Sequence, residues 1–203
     1  MKASVVLATY NESGNILNLI EEILNNISKT KFTPEVIVVD DNSPDGTAEK
    51  AKKIFQKDER VKIIVRKDER GLGSAAGRGF KESTGDDVIF MDADYSNPPK
   101  EIPGLLKFCD NHDLVSGSRH IEGGELKTSF FRKFAAKSMK IFMGSVLSLD
   151  MTDYTNGFFA VKKEALNKLD FDRIFYGYGD YYFRLYYLAS LQGAKLNEVP
   201  STY

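Results

Sequence analysis

Short apolar runs alternate with helical-period segments through the first half of the chain. Ala3-Ser-Val-Val-Leu-Ala8 reads as a strand. After the turn-rich Asn11-Glu-Ser-Gly-Asn15, the residues Ile16, Leu19, Ile20, Ile23, Leu24 and Ile27 recur at helical spacing and put one apolar stripe on one side of a helix. The unit then repeats. Glu35-Val-Ile-Val-Val39 predicts a second strand, Asn42-Ser-Pro-Asp-Gly46 a turn, and Thr47 to Phe55 a helix. Val61-Lys-Ile-Ile-Val65 predicts a third strand and Ala75 to Ser83 a helix. Asp87-Val-Ile-Phe-Met91 predicts a fourth strand and Ile102 to Cys109 a helix, and Leu114-Val115 continues the series. Such alternation implies parallel crossover units, hence an α/β fold with a sheet covered on both faces and ligands at the carboxyl ends of its strands.

From Ile121 the pattern changes. Gly123-Gly124 opens a loop, and a long helix is predicted from about Ser129 to Leu149. Phe131, Phe134, Ala135, Ile141, Phe142, Val146 and Leu149 share one side, opposite Lys133, Lys137 and Lys140, with Arg132 at the flank. That pattern fits a helix packed on the sheet with a solvated basic face, or a helix lying in an anionic headgroup layer.

Composition narrows the classes. A chain of 203 residues with 42% hydrophobic side chains holds one sizeable core, so a single domain is expected. Lys+Arg 28 against Asp+Glu 29 leaves a net charge of -1, which speaks against a strongly basic nucleic-acid binder and makes any anion site local. The single cysteine, Cys109, excludes an internal disulfide and fits a reducing compartment. No signal-peptide pattern appears, and no run approaches the roughly 18 to 20 apolar residues that span a bilayer, so a soluble, cytoplasmic domain is expected.

Candidate chemistry sits at the predicted strand ends. Asp92-Ala-Asp94 follows the fourth strand, and two carboxylates one residue apart make a hard-oxygen pair suited to Mg²⁺ or Mn²⁺; the same pattern also serves as a solvated turn. Asp40-Asp41 ends the second strand, as ligands to a nucleoside or as caps of the turn that follows. The glycines of Gly71-Leu-Gly73 continue to Gly77 as G-x-G-x-x-x-G and do not follow the first strand, which argues against a dinucleotide loop but still permits an anion at the backbone, with Arg70 adding charge. His112 and His120 have no ligand-like spacing partner.

Taken together, Ala8-Thr-Tyr-Asn-Glu12, Val38-Val-Asp-Asp-Asn-Ser-Pro-Asp-Gly-Thr47, Arg70-Gly-Leu-Gly73, Asp92-Ala-Asp94, Ser116-Gly-Ser-Arg119, Asn156-Gly157-Phe158 and Glu198-Val-Pro200 resemble glycosyltransferase family 2, and within it the polyprenyl-phosphate sugar transferases. The resemblance covers nearly the whole chain. It implies the GT-A fold, a three-layer α/β/α arrangement with a mostly parallel Rossmann-like sheet. It further implies an inverting, metal-dependent transfer of mannose or glucose from a nucleotide sugar such as GDP-mannose or UDP-glucose to a polyprenyl phosphate, at the cytoplasmic face of a membrane with peripheral contact to it. Relatives usually continue into a basic segment and often membrane helices, so a catalytic domain cut before such a segment is expected.

The same resemblance assigns roles by position. Asp94, helped by Asp92, would hold the metal, and Thr9, Tyr10, Glu12, Asp40, Asp41 and Ala93 would line the nucleotide pocket. Arg119 would lie near both phosphates and Arg132 nearer the acceptor, although Ala136 stands where the family often has serine. Asp180 occupies the place of the aspartate that takes the proton from hydroxyl acceptors in this family, with Gly179 where a glutamate is common. A second reading therefore has Asp180 as general base toward a saccharide hydroxyl, with a helix N-cap as its bland counterpart. A third is an idle nucleotide-sugar binding module.

Overall fold

The computed structural model describes residues 1–124, 149 and 151–202. Strands β1 (Lys2–Thr9), β2 (Thr33–Asp40), β3 (Val61–Val65), β4 (Asp87–Phe90), β5 (Leu114–Ser118), β6 (Phe159–Lys162) and β7 (Leu196–Pro200) form one sheet in the order β3-β2-β1-β4-β6-β5-β7. All neighbours pair parallel except β6, which runs antiparallel to both β4 and β5. The helices are α1 (Ile16–Ser28), α2 (Thr47–Phe55), α3 (Leu72–Glu82), α4 (Ile102–Cys109), the one-turn α5 (Lys163–Leu166) and α6 (Phe171–Ile174), and α7 (Tyr181–Leu191).

Strand side chains alternate between two apolar layers, as a pleated strand buried on both faces requires. Val5, Val36, Val38, Ile89, Val115 and Ala160 face α1, α2 and α4, while Val6, Ile37, Val39, Val88, Phe90 and Phe159 face α3 and α7. All six apolar residues of the α1 stripe are buried; at roughly 1.5–3 kcal/mol for each fully buried aliphatic side chain, this helix is held by its face rather than by its caps. On the other side, Phe90 meets Tyr181 edge-on with ring centroids 5.7 Å apart and meets Phe159 in a stack at 6.0 Å. These rings fasten α7 beneath the end of β4.

The expected three-layer α/β architecture is present, with three differences in detail. Neither β6 nor β7 was predicted as a strand from the pattern, and α3 begins at Leu72 rather than Ala75, so Gly73 and Gly77 lie inside a helix. The long helix predicted over 129–149, including Arg132, lies outside the described residues except for Leu149, which is buried in the α7 layer. Among the described residues, no helix is long and apolar enough to cross a membrane.

Candidate active site

β1 lies between β2 and β4, and the chain winds away from it in both directions, so the loops leaving these strands part to leave a crevice. A cavity of about 910 Å³ opens there, lined by Thr9, Tyr10 and Glu12 after β1, Asp41 after β2, and Asp92, Ala93 and Asp94 after β4. Its far wall is Arg70 to Leu72 at the start of α3, Tyr178 to Asp180 and Tyr182 at the start of α7, and Thr155.

The first two loops are fixed against each other. Asn11 and Asn42, at φ 62° and 56°, turn the chain in the left-handed region that asparagine tolerates. Asn11 N then donates to Ser43 Oγ at 3.0 Å, Glu12 N to Thr47 Oγ1 at 2.9 Å, and Ser13 N to Asp45 Oδ2 at 2.9 Å. Asp40 belongs to this scaffold. Fully buried, it accepts from Thr9 Oγ1 at 2.8 Å, from Ser43 N at 2.8 Å and from Ser43 Oγ at 2.6 Å, and it does not line the cavity. The structure thus places Asp40, expected at the nucleotide, in the turn that follows β2 rather than on the cavity wall.

Asp41 does reach the cavity. Its Oδ1 accepts from Arg66 Nε at 2.7 Å and its Oδ2 from Gly71 N at 2.8 Å. Arg66 also donates to Ser74 Oγ at 2.8 Å and to Gly71 O at 3.0 Å, pinning the turn that carries Arg70. The Arg70 guanidinium stands 5.3 Å from the centroid of the Tyr10 ring, a cation–π pair at the mouth. The glycines do not form an anion cradle. A Cβ on Gly73 would fall 2.6 Å from the Tyr176 carbonyl oxygen, and Gly73 N donates to Gly177 O at 3.1 Å, so this stretch is glycine to let α3 touch the 175–177 segment.

The acidic pair is electrostatically expensive. Burial first, and then repulsion from Asp94 and Glu12, pushes the Asp92 carboxyl up to about 6, with Arg119 acting the other way. Burial raises Glu12 as well, with Asp94 and Asp45 adding to it against a hydrogen bond from Asn15. Asp94 is exposed and accepts from Ser96 N at 2.9 Å. A partly desolvated carboxylate facing two others is a setting that a divalent cation neutralises. Among the described residues no cluster of three or more His, Cys, Asp or Glu side chains forms a closed cage. The donor set thus fits an ion that takes its remaining oxygens from water and a bound diphosphate, as Mg²⁺ and Mn²⁺ do. Gly157 makes room beside the pair, since a Cβ there would lie 2.4 Å from the Tyr182 hydroxyl and 3.2 Å from Asp92 Oδ2.

Arg119, just past β5, is not itself a lining residue. Its Nε and Nη2 grip the two oxygens of Asp153 at 2.7 and 2.9 Å, and Nη2 donates to Thr155 Oγ1 at 2.8 Å, which brings it to the edge of the cavity. Burial opposes ionisation of Asp153, but the Arg119 guanidinium outweighs it and holds that carboxyl below its ordinary value. Asp180 lines the mouth with its carboxylate already taken. It accepts from Tyr178 N at 3.0 Å and pairs with Arg184, and that pairing holds its carboxyl below the ordinary value. Although Asp180 precedes α7, its side chain makes no cap bond to that helix. Arg132 lies outside the described residues.

Residues 4–170 match the family described as Glycosyl transferase family 2. The chain belongs to glycosyl transferase family 2. Among curated relatives, this family 2 chain is 40% identical over 179 residues to "Dolichol-phosphate mannosyltransferase" of Pyrococcus furiosus, covering 86% of the chain and 50% of that protein. The chain thus spans half the length of that relative. It is 33% identical over 210 residues to "Undecaprenyl-phosphate mannosyltransferase" of Micrococcus luteus, covering 100% of the chain and 84% of that protein. Among solved structures, glucosyl-3-phosphoglycerate synthase of Mycobacterium tuberculosis, in complex with Mn²⁺, uridine diphosphate and glucosyl-3-phosphoglycerate, superposes with a TM-score of 0.64 at 22% identity over 99% of this chain and 70% of that one. Mannosyl-3-phosphoglycerate synthase of Rubrobacter xylanophilus gives 0.68 at 18% identity over 100% and 66%. These two likenesses show the fold.

Three residues around the cavity carry no mark in the sequence pattern. Arg66 holds the lining residue Asp41, Asp153 holds Arg119, and Glu198 holds the backbone of Thr152 and Asp153, through partners 25, 34 and 45 to 46 positions away. Glu198 was noted only as part of a motif, and no local spacing marks any of the three as a partner.

Proposed function

We propose that this chain transfers a hexosyl group, mannose or glucose, from a nucleoside diphosphate sugar to a polyprenyl phosphate at a membrane surface, with inversion at the anomeric carbon. The observation that carries the reading is the pairing of Asp180. A hydroxyl acceptor needs its proton removed as the new bond forms, yet the carboxylate at the mouth is already engaged by Arg184 and by Tyr178 N. A phosphate monoester arrives already ionised and needs no base. The names of the Pyrococcus and Micrococcus relatives support the same acceptor class.

Chemically, the bond between the anomeric carbon and the leaving diphosphate breaks while one forms to a phosphate oxygen of the acceptor, entering from the opposite face. Tyr10, Arg70 and Asp41 surround the space for the nucleoside, where the Asp41 carboxylate accepts hydrogen bonds from a base or ribose. Asp92 and Asp94 would hold Mg²⁺ or Mn²⁺, which supplies positive charge to the diphosphate; the Mn²⁺ in the mycobacterial synthase complex supports a divalent ion. Arg119 adds a fixed cation at the other edge of the cavity, where guanidinium groups orient phosphate oxygens.

Incubation of the chain with labelled GDP-mannose or UDP-glucose, Mn²⁺, and either a polyprenyl phosphate or an oligosaccharide tests this directly. Label is expected in the lipid phosphate alone. Asp180→Asn should keep most of its turnover, whereas loss of a general base would cost about 10²–10⁴-fold. Transfer only to the saccharide, abolished by that variant, would overturn the proposal in favour of hydroxyl chemistry, and donor binding without any transfer would make the chain a binding module.

A further inference from the structure

Arg119 is held by a relay that begins on the last strand, well away from the cavity. Glu198 stands on β7 opposite Ser116 of β5. Its carboxylate accepts from Thr152 N at 2.7 Å, from Thr152 Oγ1 at 3.1 Å and from Asp153 N at 2.9 Å. Two consecutive backbone amides on one carboxylate are charge-assisted bonds, about twice as strong as neutral ones, and they fix the direction of the 152–155 loop. That loop then presents Asp153, whose side chain is 1% exposed, to the guanidinium of Arg119. Ser118 Oγ shares a 2.6 Å hydrogen bond with Thr152 Oγ1, closing the circuit back to the strand from which Arg119 emerges. No residue of this circuit except Thr155, which receives Arg119 Nη2, lines the cavity.

We infer that Glu198 is a positioning residue, which sets the orientation of Arg119 through the 152–155 loop and thereby the binding of phosphate at that edge of the cavity. The assignment rests on the transferase reading above. Three features distinguish it from ordinary packing. The carboxylate is spent on backbone amides rather than on a cation, the loop it holds carries the counter-charge of Arg119, and both oxygens of that counter-charge contact the guanidinium. Asp153 alone could swing with its loop. With Glu198 in place it cannot, and a fixed guanidinium loses less freedom on binding a phosphate.

The test is a double-mutant cycle with Glu198→Gln and Arg119→Ala, read on turnover with a short-chain polyprenyl phosphate and whichever of GDP-mannose and UDP-glucose the wild type uses. Glu198→Gln keeps the size but presents an NH₂ to amides that need acceptors. Expected is a loss of about tenfold in kcat/KM toward the lipid phosphate. In the Arg119→Ala background the same change should cost less than about twofold, since the group it positions is gone. Additive losses or a fully active Glu198→Gln would overturn the relay. Should Glu198→Gln lack a cooperative melt, Thr152→Val, which removes one bond to Glu198, carries the same cycle. A wild type that turns over no lipid phosphate would defeat the transferase reading, and the relay with it; a relay that fails alone leaves wild-type turnover intact.

Discussion

Arg66 has a side chain 5% exposed and meets an Asp41 that is 11% exposed, so each is the other's principal compensation for leaving water. Asp41→Ala would leave that buried guanidinium with the exposed Glu69, at 3.3 Å, as its remaining carboxylate contact among the described residues, and loss of the buried partner costs up to about 3–5 kcal/mol. Urea denaturation should register a fall of that order, and loss of nucleotide binding in this variant must be separated from loss of the fold. Asp87, at the opposite end of β4, carries a second prediction. Burial, with Asp86 and Asp110 adding to it against Lys162 and Lys31, pushes its carboxyl from 3.8 up to about 6, and one oxygen finds no hydrogen-bond partner among the described residues. Between those values the native state binds more protons than the unfolded chain, so this group's contribution to stability falls as pH rises from about 4 to 6. Asp87→Asn should therefore gain on the wild type across that window, by roughly 2–3 kcal/mol at pH 7. Paired urea titrations at pH 4.5 and 7 measure it, and a difference that stays constant between the two pH values would contradict the assignment.

α3 shows how an element can be shaped by what it must touch. Its glycines weaken it as a helix, each by about 0.5–1 kcal/mol relative to alanine, yet Gly73→Ala would set a methyl against the Tyr176 carbonyl. The contact outweighs the propensity. We expect a net loss of about 1–3 kcal/mol in unfolding free energy, together with weaker nucleotide binding by calorimetry, because Leu72 and Tyr178 bound the same cavity. Legibility varied along the same lines. β1 to β5 and their helices are readable because each strand holds a short apolar core, down to Leu114-Val115 in β5, and each helix has one apolar face. β6 has four residues and follows the polar 152–157 stretch, so no alternation announces it. β7 is only partly buried, and its pattern mixes Asn197 and Glu198 with Leu196 and Val199.

For the molecule as a whole, the lining residues Asp41, Asp92 and Asp94 are legible because parallel crossover folds place ligands where strands end, whereas Tyr10 and Glu12 follow from the family resemblance alone. Asp40 stands behind the cavity wall rather than on it, and adjacency in sequence does not reveal which of two neighbouring carboxylates turns inward. A divalent ion should couple the halves of the cavity. Adding Mn²⁺ with the right nucleotide sugar should raise the melting temperature more than either alone, with about 2.7 kcal/mol of added stability at a ligand concentration 100 times its dissociation constant. Asp92→Asn should abolish the ion's share, seen by differential scanning fluorimetry with and without a chelator. The reversed direction of β6 has a further effect. Strands β1, β2 and β4 deliver their residues by leaving the sheet, whereas Thr155 reaches the cavity on chain about to enter it. A single-residue slip of β6 would exchange the neighbours of Phe159 and Ala160 across the sheet and carry the incoming chain along by about 3.4 Å. Every lining residue would keep its identity, and the opening would no longer fit its cargo.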